Sequence, residues 1–527
     1  MAGARKKGHR HHSSQPSPEQ LQRDHDRLIR ENENLRRQIA QRDQEIAERD
    51  QQIADAQKQI ADAEKQIADA EKQIADAEKQ IADLEHQLAL RQQNSTNSSK
   101  PPSSDGLAGE PRKRGSREKK SRRKPGGQPG HRGAHRPLAP VERVNEIRTV
   151  LPEQCQGCGH ALPTSIDQVK TSGVRRHQVT ELPPIQPHII EYQCPDVVCP
   201  GCGKSTRSKL PEEASRHFGP QLTALIAYLT VCCRMPRRAV EALLEQVLGI
   251  QISLGSIQSC WEESSQAVAT PVQNAEQNLQ AEPVINADET GWRNNGAKRY
   301  LWVFVAAQYV VYTVAATRGS EVLVRLLGPV FQGILCSDRF SAYVKYHAGK
   351  AQFCWAHLKR NLLGAAEFTK YTEVDHFCRD ALAQHARLFR LWHKFRGGLI
   401  DRQQVKLRSI AIQKKLFELA ESHLDSSHRE IRNLATAIFE HNSRLFTFLE
   451  AEGVEPTNNI AERKLRPPVQ WRKICFGNRS EAGGLATGRL LTVAGTCQMQ
   501  GINILVYLAT AIAAHRRRQP APSLLAK

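Results

Sequence analysis

The sequence predicts a multidomain α+β chain, and three observations carry that expectation. An isoleucine returns every seven residues near the N-terminus, two C-x-x-C pairs bracket a β-like stretch, and two later apolar runs each end in an acid. At 527 residues the chain is long enough for several domains, each with its own core. The expected order begins with a basic tail (1–17), a heptad coiled coil (18–92), and a Ser/Pro/Gly-rich, basic linker (93–150). A zinc-binding ribbon (151–210) and a helical region with helix-turn-helix-like spacing (211–279) follow. An α/β core then comes in two parts (280–360 and 455–500) around a helical insertion (361–454), before a C-terminal helix and basic tail (501–527).

Charge narrows the partners. There are 75 Lys+Arg against 55 Asp+Glu, a formal net charge of +20, which favours a polyanion, nucleic acid before anionic membrane. Aromatics are only 6%, so stacking on single strands is not the expected mode of binding. The start, MAGARKKGHRHHSS, is basic with no apolar stretch behind it, so no secretory signal is expected. The longest apolar run, INILVYLATAIAA, is too short to span a bilayer. The thirteen cysteines are accordingly read as reduced thiols of a cytoplasmic, nucleoid-associated protein.

Ile39, Ile46, Ile53, Ile60, Ile67, Ile74 and Ile81 recur inside near-copies of IADAEKQ, with Leu21, Leu28, Leu35 and Leu84 on the partner seam. Ile at a with Ala56, Ala63, Ala70 and Ala77 at d, flanked by Glu and Lys, is a coiled-coil pattern, and Asn32 at an a position can fix register. Self-association through this segment is expected. The linker that follows holds Arg112, Lys113, Arg114, Arg117, Lys119, Lys120, Arg122, Arg123 and Lys124 against one acid, Glu118. Such density suits salt-sensitive, sequence-blind contact with phosphates.

CQGCG at 155–159 and CPGCG at 199–203 each place two thiols on a tight Gly turn, half of a tetrahedral zinc site. The expected ligands are Cys155, Cys158, Cys199 and Cys202, with Cys194 able to compete for a place; four thiolates make a structural site. Next, PRRAVEALLEQVLG and IQISLGSIQSCWEES read as two helices around a Gly249 turn, the second capped near Ser253, with Arg237 and Arg238 at the head. Two ordinary packed helices account for that spacing equally well.

EPVINADET reads as a strand that ends in acids, and RYLWVFVAAQ and YVVYTVAAT as two further β runs. RGSEVLVRLLGPV reads as a helix, and GILCSDRFSAY as a strand ending in Asp338. This order, with an Asp leaving the first and fourth strands, is a ribonuclease-H-like arrangement that brings Asp288 and Asp338 to one sheet edge. Two close carboxylates repel unless cations share them, so a third is expected on a downstream helix. EPTNNIAERKLRPP supplies Glu462, on a helix expected to start at a Thr457 cap and end at Pro467, with Asn458 and Arg466 on the same face. Arg463, Lys464 and Arg466 are candidate phosphate contacts. Glu289 is read either as a support to the site or as solvent-facing. His357 is read as a neighbour of the site or a DNA contact, and Trp292 and Trp355 as core residues. The chemistry that suits this set is two-cation phosphoryl transfer with magnesium, for which manganese can substitute.

NSSKPPSSDG, GGQPGHRG, ADETGW, SDRFSAY, CWAHLKR and NNIAERKLRP, continuing into RKICFGN, run in order from about residue 94 to 515. Together they resemble the insertion sequence 66 family, bacterial DDE transposases. The resemblance implies cleavage and transfer of double-stranded DNA at the element's terminal repeats into target DNA, with Asp288, Asp338 and Glu462 in the triad positions. It also implies a zinc-binding N-terminal module, a helical insertion before the third acid, and small accessory transposition proteins. Two features depart from the family pattern: the IADAEKQ repeat is longer and more regular, and CPDVVCPGC carries an extra cysteine. The competing readings are a nuclease without strand transfer and a DNA-binding protein with a decayed catalytic domain.

Overall fold

The computed structural model describes residues 17–92, 133, 136–346, 349–368 and 371–525. The basic run from Arg112 to Lys124 and the tail up to residue 16 lie outside the described residues. The chain divides into two units, residues 1–93 and residues 94–527.

The described part of the first unit is one helix, α1 (Pro18–Gln92), 75 residues long. Proline at its first position costs no hydrogen bond, and Glu19 suits the positive end of the helix dipole. At about 1.5 Å per residue it extends about 110 Å. The heptad isoleucines from Ile39 to Ile81 are 55–59% exposed along it.

The second unit opens with two knuckles of matching design. Cys155 N–H donates to His160 O and Gly159 N–H to Cys155 O; Cys199 N–H donates to Lys204 O and Gly203 N–H to Cys199 O. The second knuckle closes a short antiparallel pair, β1 (Asp196–Val198) and β2 (Ser205–Arg207). Between the knuckles, residues 170–195 contain no strand, contrary to the β-like expectation. Without a partner strand its alternating residues have no face to bury, and Val174, Val179 and Ile189 stay at least 80% exposed.

Helices α2 (Pro220–Val231), α3 (Arg237–Leu248), α4 (Leu254–Ala267) and α5 (Ala269–Asn278) follow. Gly249 ends α3 in the left-handed region and Ser253 Oγ accepts from Ser256 N to cap α4, as the sequence spacing indicated. α4 differs from a DNA-reading helix, however. Ile257, Cys260, Trp261, Glu263, Ser264, Ser265 and Ala267 are buried, and its exposed line is Gly255, Ser259, Glu262 and Gln266, without a cation. It is a core helix because α2 and the last two helices of the chain, Glu481–Gln500 and Ile504–Arg516, pack on it.

The sheet comprises β3 (Val284–Asn294), β4 (Ala297–Val305), β5 (Val310–Ala315), β6 (Ile334–Ser337) and β7 (Ala351–Phe353). Its order is β5-β4-β3-β6-β7, with β3, β4 and β5 antiparallel and β6 and β7 parallel. β3 does not end at its acids. It continues to a two-residue turn, Asn295 and Gly296, whose φ values of 47° and 77° are those of a twisted hairpin turn. Parallel pairing with β6, by contrast, stops at Asn286↔Cys336, so Asp288 stands where one side of β3 loses its neighbour.

α6 (Glu321–Leu327) and α7 (Ser341–Tyr346) accompany the face bearing Ile285, Ala287, Trp302 and Phe304. α8 (Trp355–Phe368), α9 (Thr372–Arg396), α10 (Arg402–Glu421), α11 (Arg429–Glu440), α12 (Asn442–Leu445) and α13 (Thr447–Glu450) build a helical body between the second and third acids. Its core includes Phe377, Leu388, Ile412, Ile431 and Phe448, and it joins the β7 side of the sheet through Phe353 and Trp355.

α14 (Asn459–Cys475), α15 (Glu481–Gln500) and α16 (Ile504–Arg516) complete the fold. α14 starts after Asn458, not Thr457, and does not end at Pro467 but carries Pro467 and Pro468 inside it. Pro468 cannot donate to Lys464 O, four residues back. Tyr312 Oη donates to that carbonyl instead, at 2.7 Å, so the helix continues. α15 covers the exposed edge of the sheet: Thr492 and Thr496 accept the β5 N–H groups of Tyr312 and Val310. Gly488 permits that approach, since a Cβ there would lie 2.8 Å from Tyr312 O. Among the described residues no helix is long and apolar enough to cross a membrane.

Candidate active site

Four segments are tied together around the acids. Asn458 Nδ2 donates to Ala287 O on β3 at 2.7 Å, and Asn458 N–H points to Cys354 Sγ at 3.2 Å. Cys354 N–H donates to Ser337 O at the end of β6, and Trp355 N–H to Pro456 O before α14. The N-terminus of α14 is therefore fixed beside β3, and Glu462, in its first turn, follows.

Alternation along β3 separates the two adjacent acids. Asp288 shares its parity with Trp292 and lies opposite Val303, on the face that packs against Ala461 and Leu465 of α14. Glu289 lies opposite Trp302, on the other face. It does not face solvent: its carboxylate accepts from Arg318 Nε at 2.6 Å and from the Tyr343 hydroxyl, and it is 7% exposed. Arg318 also stacks over Phe340, 3.8 Å from the ring centroid. This brace of Glu289, Arg318 and Tyr343 holds the loop after β6 against β3. The sequence offered no periodic signal for Arg318 or Tyr343, because the pairing joins three elements.

Burial pushes the Asp288 carboxyl well above its ordinary value, and the charges of Glu289, Asp338 and Glu462 push it further. Burial likewise raises Asp338, opposed by the Phe340 N–H, which donates to Asp338 Oδ1 at 2.9 Å, and by Arg318 and Arg339. Glu462 raises both aspartates and is met by Arg360, whose Nη2 lies 3.1 Å from Glu462 Oε1. The acids thus share one electrostatic neighbourhood, although they do not all lie within 4.8 Å of one another. Among the described residues the group that does is Cys354, His357 and Glu462.

His357 Nδ1 is 3.7 Å from Glu462 Oε1, but burial, Arg360 and Arg339 lower its pKa to about 3. The imidazole is neutral near pH 7, so the contact is not an ion pair. His357 Nδ1, Asn458 Oδ1, Arg339 Nε and Arg360 Nε are buried with no hydrogen-bond partner. Buried polar atoms normally find partners, so four orphans around three acids mark a place shaped for something beyond its own packing. The three carboxylates and the Asn458 carbonyl oxygen fit a hard divalent cation, whereas the two guanidinium N–H groups can only donate, as to a phosphate.

The remaining candidates fall elsewhere. Arg463 and Arg466 are exposed on α14, whereas Lys464 is half-buried, its ammonium 3.4 Å from Gly495 O and 3.3 Å from Gln498 Oε1. Trp292 and Trp355 are core residues, 2% and 1% exposed, as expected. The Cys155 and Cys199 thiols are lowered by the N–H groups of their own knuckles, Gly157 and Gly201 foremost, which favours thiolate. No three of Cys155, Cys158, Cys194, Cys199 and Cys202 gather within 4.8 Å, so the four-thiolate site expected from the sequence is not assembled here.

Comparison with known proteins adds a family. Residues 216–486, just over half of the chain, match the family described as Transposase IS66 family, and residues 13–137 match a family of unknown function (DUF6444). An uncharacterised protein, y4qI of Sinorhizobium fredii, is 27% identical over 250 residues, covering 43% of this chain and 46% of that protein. The chain therefore spans less than half the length of that relative.

Proposed function

Because the chain belongs to the IS66 family of transposases, we propose that it cleaves DNA strands at the ends of a bacterial insertion sequence and transfers them to target DNA, using a ribonuclease-H-like core. The observation that carries this reading is the shared electrostatic neighbourhood of Asp288, Asp338 and Glu462, drawn from one strand, the residue that follows its parallel neighbour, and a distant helix.

Asp288, Asp338 and Glu462 would hold magnesium, or manganese in its place. Two such cations, when bound, activate a water or a DNA 3′-hydroxyl and stabilise the leaving oxygen of an in-line phosphoryl transfer. The chain supplies the rest. The Glu289–Arg318–Tyr343 brace fixes the Asp338 loop against β3. Arg360 orients the Glu462 carboxylate, with neutral His357 packed beside it, and Asn458 fixes the helix that bears it. Exposed Arg463 and Arg466 would neutralise phosphates beside the acids, and the basic run Arg112–Lys124 would add sequence-blind affinity.

Two further parts belong to the same reading. A straight helix drifts about 20° per heptad, so the six intervals from Ile39 to Ile81 turn the seam through about 120°. Only a left-handed supercoil keeps those isoleucines on one partner, which supports a homo-oligomer through α1. Zinc drawing the two knuckles together would order residues 151–210. The setting is the cytoplasm, on the nucleoid, with small accessory proteins as further partners.

A donor plasmid carrying a marker between the element's own ends tests the function in cells. Marker movement should require this chain and vanish with Glu462→Gln. Movement unchanged by Glu462→Gln would overturn the assignment of the third acid.

A further inference from the structure

α14 links the acids to an aromatic side chain that the fold holds out in solvent. Glu462, Arg466 and Lys473 are spaced by four and seven residues, so they form one line along the helix, and Arg466 and Lys473 are exposed. Phe476 ends that line. It is 80% exposed, and its φ of 59° and ψ of 9° lie in the left-handed region that bulky side chains avoid. Ile474 beside it is 50% exposed.

The backbone beneath Phe476 is not loose. Gly477, with φ of 107°, presses so close to β3 that a Cβ would lie 2.3 Å from Arg293 O. Asn478 N–H donates to Arg293 O, Asn295 N–H donates to Asn478 O, and Asn478 Oδ1 accepts from Trp292 Nε1 at 2.6 Å. Asn478 Nδ2 donates to Thr487 Oγ1 of α15. The turn is riveted to the β3–β4 hairpin and to α15, and the phenylalanine is the part left outside. Folding gains nothing from that placement, since it combines an unfavourable backbone with exposed apolar surface.

The surroundings identify the occupant. Arg293, Lys473 and Arg479 are exposed on the segments that meet at this turn, and Glu481, the acid that starts α15, is already paired with Arg299 at 2.9 Å. An exposed ring on a turn whose segments carry these cations suits a base and its phosphates better than an apolar protein patch. From Glu462 to Phe476 the helix rises about 21 Å, close to six base-pair steps of about 3.4 Å.

We propose that Phe476 is a DNA-base contact: it stacks on, or wedges beside, a base about six base pairs from the phosphate at the acids, while Arg466 and Lys473 hold the intervening backbone. A single fixed ring of this kind marks one position and differs from a general single-strand platform, so the low aromatic content is no objection. The inference rests on the proposed action on DNA.

The test uses the full-length protein and duplexes spanning the boundary of the insertion that carries this gene, with 2-aminopurine placed base by base inward from the boundary. Binding is read in calcium and strand cutting and joining in magnesium. The expected result is a fluorescence change centred about six base pairs from the boundary, lost with Phe476→Ala and kept with Phe476→Trp, and a roughly tenfold weaker complex for Phe476→Ala. Thermal melting of Phe476→Ala should match the wild type, because the ring packs on nothing that the fold needs. Wild-type cutting and joining with identical fluorescence profiles and affinities for both proteins would overturn the proposal and leave the proposed function standing. A Phe476-dependent profile with no cutting by the wild type would uphold the contact and sink the function. Loss of self-association by Phe476→Ala in sedimentation, with an unchanged DNA profile, would assign the ring to a protein contact and overturn the proposal.

Discussion

Asp288 and Asp338 each lie two residues beyond the last pair that β3 and β6 make, Asn286 with Cys336. Asp288 is still on β3, whereas Asp338 is the first residue after β6. The parallel register therefore delivers both acids to the end of the sheet at which β6 stops. α14 then supplies the third from the face on which Asp288 lies.

That closeness has a cost for the folded protein. The Asp288 carboxyl is raised chiefly by burial, so the folded chain binds its proton more tightly than the unfolded chain, whose value is near 3.9. Its favourable contribution is complete below that pH and declines as pH climbs above it toward the folded value. In EDTA, Asp288→Asn should therefore melt above the wild type at pH 7.5, by on the order of 1 kcal/mol, with a flatter dependence above pH 4. Magnesium should then stabilise the wild type more than the variant. A lower melting point for Asp288→Asn in EDTA would show that the carboxylate is satisfied without a cation.

Pro468 and Tyr312 form a second coupled pair. Tyr312→Phe should cost about 1–2 kcal/mol, because Lys464 O loses its donor. In a Pro468→Ala background, which restores a helical N–H, the same change should cost markedly less. A double-mutant cycle by denaturant unfolding measures the coupling, and additive effects would refute it.

Those two prolines also show where reading the sequence stopped. A proline normally ends a helix, so Pro467 was the natural boundary; the structure runs on through both prolines, with the carbonyl freed by Pro468 taken by the Tyr312 hydroxyl of a strand far away in sequence. The strand at Val284, the helix at Glu321, the strand into Asp338 and the helix bearing Glu462 were legible, because apolar spacing and acid placement are local properties. The extension of β3 beyond Glu289 was signalled by Asn295-Gly296, a turn pair outweighed by the acids before it. Arg318, Tyr343, Cys354 and Arg360 were not legible as parts of the site. Each acts through a partner on another element, and no periodicity records such contacts. The α3–α4 spacing was read correctly, but spacing alone does not reveal that α4 is covered by α15 and α16.

Arg516 anchors the last helix. Its guanidinium meets Glu263 at 2.8 and 2.9 Å and also reaches Phe218 O, with both side chains almost fully buried. Arg516→Met should destabilise by about 3–5 kcal/mol, since it strands a buried carboxylate. Adding Glu263→Gln should recover part of that loss. Unfolding in urea checks both, and a cost below about 1 kcal/mol for the single variant would mean that water reaches Glu263.

Zinc should bind with about one ion per chain at the knuckles, as in other closed cysteine sites. Cys158→Ser or Cys202→Ser should each remove it, and chelation should increase proteolysis between residues 151 and 210 while leaving the sheet intact. Retention of zinc by both variants, measured by elemental analysis, would remove the knuckles as ligands.

The most direct measurement is incubation of a duplex carrying the element's own end with target DNA and magnesium, comparing wild type with Asp338→Ala. The account predicts nicked and joined products from the wild type, at least 100-fold fewer of both from the variant (on the order of one catalytic group's contribution), and unchanged binding of the duplex. Equal yields from the two proteins, or specific end binding with no cleavage in magnesium or manganese, would contradict it.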